Sequence, residues 1–117
     1  MADEYLKLLD RNDALGAWAK VGEQIKRTTS KAEWMARIRA WLEVKGGAAS
    51  ERDLAAERIM TPEEVRSMSP ESTVTGPVYA FFYISAYPLG RFLEDLYINR
   101  DCDGILRVGG HQHQPAR

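Results

Sequence analysis

The chain has 117 residues, 44% hydrophobic and 28% charged; Lys plus Arg (16) nearly balances Asp plus Glu (17), for a formal net charge of −1. So hydrophobic a chain is not wholly disordered, and so neutral a one is not a histone-like nucleic-acid coat, which needs a large cationic excess. The length suits one domain with a real core, and the single cysteine has no partner for an internal disulfide.

The opening residues, Met-Ala-Asp-Glu-Tyr-Leu-Lys, carry two acids and lead into no apolar run. A secretory signal has a basic start followed by about 7–15 apolar residues. The longest uncharged stretch, Ser72 to Gly90, begins with polar residues. Its apolar part, Pro77 to Leu89, falls well short of the ~20 residues of a membrane span. These features predict a cytoplasmic protein without a membrane partner, a compartment in which a lone Cys102 is at home.

The first 45 residues read as helix. Tyr5, Leu6, Leu8 and Leu9 form one apolar group, and Ala14, Trp18, Val21 and Ile25 form a second at helical spacing. The two groups do not share a face of one continuous helix. Asp10, Asn12 and Asp13 between them are N-cap types, so a break near 10–13 is expected, followed by a helix over about 13–27. Ser30 and Glu33 then have capping-box spacing. Trp34, Ile38, Trp41, Leu42 and Lys45 make one stripe, which Gly46-Gly47 ends as a C-cap glycine would. Ser50 and Asp53 suggest another N-cap, with Leu54, Ala55 and Ile59 as an apolar side. Thr61-Pro62-Glu63-Glu64 is a strong helix start, with threonine as cap and proline in the first turn. Ser69-Pro70 ends that helix, and 70–77 reads as loop.

Val78 to Ile98 is the ambiguous segment. Val78 to Ile84 has strand-favouring side chains but no alternation with polar residues. The helical context, together with Phe92, Leu93 and Leu96, predicts an aromatic helix over 78–98 kinked near Pro88. Seven of the eleven aromatic residues lie between Tyr79 and Tyr97. Residues 109–117 are expected to be a flexible tail after a single helical domain over 1–108.

Several segments carry residue types that bear on chemistry. Residues 51–68 resemble a degenerate helix-turn-helix, but Glu63 and Glu64 on its recognition helix oppose phosphate. A DNA-binding transcriptional regulator is therefore the second reading, and nucleic acid is not the expected partner. Residues 26–45 carry +4 and 46–71 carry −3, which suggests that these segments complement each other within the chain. Asn99 to Gly104 has the oxygen spacing of half an EF-hand loop, but Gly110 stands where the bidentate Glu belongs. His111, His113 and Cys102 are ligand types without the paired spacing of a structural zinc site. Neither a phosphate loop nor a nucleophile elbow occurs, and Glu94-Asp95, being adjacent, would diverge on a helix. No cofactor, metal or enzymatic activity is expected.

Together these features predict an all-α fold, a small orthogonal or irregular bundle of five to six helices. A helix that is apolar on every side must be surrounded, and tyrosine and phenylalanine are enriched at interfaces. The expected function is a non-enzymatic protein–protein interaction module. It would be a small cytosolic regulator of bacterial or phage type that occludes a partner protein and also pairs with itself as a homodimer. Its binding residues would be Tyr79, Phe82, Tyr83, Tyr87 and Phe92.

Overall fold

A computed structural model describes residues 1–116. Four helices come first: α1 (Ala2–Asp10), α2 (Ala14–Trp18), α3 (Glu23–Thr28) and α4 (Lys31–Lys45). They are followed by β1 (Glu51–Met60), α5 (Pro62–Met68), β2 (Val78–Tyr87), β3 (Gly90–Arg100) and β4 (Leu106–Pro115). The strands form one antiparallel sheet in the order β1-β2-β3-β4. The fold is therefore α+β, which overturns the all-α helical bundle.

The helix signals that rest on local chemistry hold. The chain breaks after Asp10, and the Asp13 carboxylate accepts from the Gly16 amide at 2.9 Å to cap α2. The expected helix over 13–27 is split instead, because Val21 forms a parallel bridge to Val108 of β4. Ser30 Oγ accepts from the Glu33 amide at 3.1 Å at the start of α4. Thr61 and Glu64 complete a reciprocal capping box on α5.

The segments that fail are those whose structure is set by pairing. The aromatic helix over 78–98 is in fact β2 and β3, joined by the two-residue loop Pro88-Leu89. The outer face is covered in part as well, so apolar residues occupy both parities of β2, and Leu93 and Tyr97 fall between the inward residues of β3; the alternation is blurred. Tyr83 of β2, Leu96 and Ile98 of β3 and Val108 of β4 pack against Tyr5, Leu6, Leu9, Trp34 and Ile38 of the helical layer. The opposite parity of β2 and β3 (Val78, Ala80, Phe82, Tyr97) packs with Met60 and with Val65 of α5. The tail expected over 109–117 is the second half of β4 up to Pro115. The helix-turn-helix reading loses its first helix, since 51–60 is β1.

The charge segments do not answer each other either. Among the described residues, no ion pair joins 26–45 to 46–71. The Asn99–Gly104 turn is closed by protein groups: Arg107 Nη1 reaches Asp101 at 2.9 Å and Asp103 at 3.0 Å. Asp101 also accepts from the Glu23 amide, tying the turn to α3.

Helix α4 ends on Gly46 in the left-handed region, φ 85°. A Cβ there would stand 2.6 Å from Leu89 Cγ and 3.1 Å from Pro88 Cβ. The Leu89 amide donates to the Lys45 carbonyl at 3.0 Å, so the helix end and the β2–β3 hairpin are locked face to face. Gly46→Ala is expected to cost about 1–2 kcal/mol from the backbone conformation alone, with the hairpin clash added. A denaturation midpoint unchanged from wild type would contradict this.

Candidate functional site

The polar groups of the helix-facing sheet surface converge on Glu94. On β3 the even positions Phe92, Glu94, Leu96 and Ile98 all point to the helical layer, so a carboxylate occupies a core position with no exposure. An ionised carboxylate there must be paired and hydrogen-bonded. Arg52 Nε of β1 donates to Glu94 Oε1 at 3.1 Å, and the Tyr87 hydroxyl of β2 donates to the same oxygen at 2.7 Å. Oε2 meets His111 Nε2 of β4 at 2.9 Å. The remaining nitrogens of Arg52 reach Asp10 at the end of α1 and Tyr87 Oη at 2.9 Å. The Tyr5 hydroxyl of α1 lies 3.4 Å from His111 Nδ1. One network therefore spans all four strands and α1.

The charges respond to this setting. Burial alone would raise the Glu94 pKa, but the hydrogen bond from His111 and the positive charge of Arg52 outweigh it, so the carboxyl lies well below its usual range. Burial works against the Arg52 charge too; the hydrogen bond to Asp10 and the charge of Glu94 outweigh it and raise the guanidinium pKa. Tyr87 and Tyr5 are raised by burial and by the nearby Glu94 charge, so both keep their protons. The buried Ser85 hydroxyl lies on the same face and also favours the ionised Glu94, while Asp10 Oδ1 is buried with no hydrogen-bond partner among the described residues.

A second cation sits beside the network. Lys45, last residue of the α4 stripe, is only 2% exposed. Its ammonium lies 4.4 Å from the centre of the Tyr87 ring, 5.5 Å from Phe92 and 5.6 Å from Trp41. Aromatic faces attract such a charge, but burial still lowers the Lys45 pKa, with the Glu94 charge opposing. His113 packs edge-on against Trp41 at 4.1 Å between ring centres. Burial, then Lys45, then His111 lower its pKa to about 4.

The five residues expected to bind a partner do not form one exposed surface: four lie on the helix-facing side of the sheet and Phe82 on the other. Tyr83 is buried against the helical layer. Tyr87 serves the Glu94 network, and Phe92 lies under Lys45. Phe82 is on the opposite face, edge-on to Tyr97 at 6.4 Å. Tyr79 is half-buried, opposite Ile59. Asp10, Lys45, Arg52, Glu94, His111 and His113 went unrecognised as a group. The available signals were Lys45 within an apolar stripe and Glu94 within a period-2 apolar series.

The sheet edges differ. β4 is partly capped: the Gly22 amide donates to the Val108 carbonyl and the Val108 amide to the Lys20 carbonyl, both at 2.8 Å. Among the described residues β1 pairs only with β2, and all of it except Arg52 and Met60 is exposed. It carries a bulge at Leu54/Ala56 and shows Leu54 at 47% and Ile59 at 65% exposure.

No protein-family model matches the chain, and no curated protein or solved structure is significantly similar to it. Among the described residues, no group of three or more His, Cys, Asp or Glu side chains is placed to hold a metal ion. No described helix is long and apolar enough to cross a membrane.

His113 sets an acid limit on the fold. Folded, it stays neutral down to about pH 4; unfolded, it takes up a proton near its ordinary 6.5. The unfolded state thus binds more protons across that window, and stability falls as pH drops from 6.5 towards 4. Glu94 adds its own loss only as pH falls below the ordinary carboxylate range. Urea midpoints measured against pH should show this decline, and His113→Asn should flatten it between 6.5 and 4. An equal slope in the variant would contradict the assignment.

Proposed function

We propose that the protein is a non-enzymatic interaction module that docks a partner protein along the outer edge of β1. The partner would lend an extended segment to the sheet, and its own site would thereby be occluded. The observation that carries this reading is the uncovered ten-residue edge of β1 with Leu54 and Ile59 exposed beside it. Such an edge presents unpaired backbone donors and acceptors, which natural proteins usually blunt or cover. Strand addition uses those groups for affinity and neighbouring side chains for selectivity.

The edge is also selective. Glu51, Asp53, Glu57 and Arg58 are exposed along it, and charges of this kind discourage indiscriminate pairing. A second copy is one partner that meets the pattern. Against an enzymatic reading stands the state of Glu94, whose two oxygens are already engaged by Arg52, Tyr87 and His111.

The test joins Leu54→Lys with Ile59→Lys, both at exposed positions where folding should be unaffected. We expect wild type to self-associate in sedimentation or to retain a specific protein from its native host, and the double variant to lose that association with an unchanged circular dichroism spectrum. The reading is overturned if the double variant keeps the same stoichiometry and the same retained partner, or if wild type neither self-associates nor retains any protein.

A further inference from the structure

We propose that the cavity between α5, the strap over 69–77 and the outer sheet face binds a neutral, apolar-bodied small molecule with a hydrogen-bonding head group. This site lies apart from the β1 edge and does not depend on that reading. The cavity holds about 450 Å³, within the usual span of small-molecule sites, roughly 300–1,000 Å³. Met60 and Val78 form its floor, and Val65, Met68 and Val74 its roof.

The roof is fastened but not seated. The Thr61–Glu64 capping box and the Arg58–Glu64 ion pair fix α5 at its start. Arg66 Nη1 donates to the Val74 carbonyl at 3.1 Å, and Thr73 Oγ1 lies 3.4 Å from Gln24 Oε1 of α3. Yet no residue of α5 is buried, and Met68 is 63% exposed. Interiors are normally close-packed. The helix touches the sheet through half-buried Val65, while Met68 one turn on stays exposed, and the space left beside Val65 has room for an apolar body.

The lining chemistry selects the head group. Asp101 is the only charged residue among the described lining residues. Its oxygens are engaged by Arg107 and the Glu23 amide. No lining cation is present to hold a carboxylate or phosphate, and no free lining carboxylate to hold an ammonium. Asn99, Gln112 and Ser72 add uncharged donors and acceptors to the lining. A charged head would have to be desolvated there without a counter-charge.

The probes are 1-decanol, decanoate and decylammonium, which share one chain and differ in head charge, with binding read by displacement of Nile red and by calorimetry. We expect saturable 1:1 binding of decanol, with both charged probes about tenfold or more weaker. Val65→Trp and Val74→Trp should fill the cavity and weaken decanol binding by a similar factor, with the thermal midpoint held or raised. The proposal is overturned by no saturable decanol binding, by equal binding of the charged probes, or by undiminished binding to either folded Trp variant.

Discussion

The Arg52–Glu94 pair is the constraint on which the rest of this structure depends. Glu94 sits at the centre of the sheet's inner face with its side chain 1% exposed, and Arg52 is the only β1 residue before Met60 that is not exposed. A one-residue slip of β1 would swing Arg52 to the other face and strand Glu94. The pair thereby fixes the register of a strand that has almost no apolar burial of its own. Through Asp10 it also holds α1 against the sheet, and through His111 it holds the last strand. Buried ion pairs are not a dependable source of net stability, because desolvation offsets much of the attraction, but breaking one leaves an uncompensated charge. Here that property secures one register for β1.

The same arrangement explains how α4 and the β2–β3 hairpin meet. Lys45 carries the helix stripe to its end and places an ammonium among Tyr87, Phe92 and Trp41. The following Gly46 turns the chain where no side chain would fit against Pro88 and Leu89. Helix end, hairpin and charge network therefore form one block. The two regions proposed to meet ligands lie outside it: the free edge of β1, and the cavity beneath α5.

Legibility in the sequence followed the range of the interactions. The Ser30 and Thr61 caps, the break after Asp10 and the Gly46 stop depend on neighbours within about four residues, and each was readable. The strands were not. In β2 and β3 the helical layer covers one face while α5 and Met60 cover part of the other, so apolar residues on the outer parity, such as Phe82, Leu93 and Tyr97, blur the period-2 signal; Phe92, Leu93 and Leu96 then mimic a helix. In β1 the cause is opposite: Ala55, Ala56, Glu57 and Arg58 favour helix, and pairing with β2 overrides that preference. A helical reading hides Glu94, because on a helix it and Asp95 diverge without converging on one point. On a strand, adjacent residues point to opposite faces, which sends Glu94 into the core and Asp95 to the outer face. The aromatic cluster at 79–97 was visible from composition, but its division between two faces required the sheet.

The account is tested most directly by a double-mutant cycle on Arg52→Met and Glu94→Leu, with unfolding free energies from chemical denaturation. Each single variant leaves one buried charge without its main partner and should cost about 3–5 kcal/mol. The double variant removes both charges and should cost less than the sum of the singles by about 1–3 kcal/mol. Additivity within about 0.5 kcal/mol would mean that the two side chains act independently, and would contradict the claim that their pairing organises the sheet.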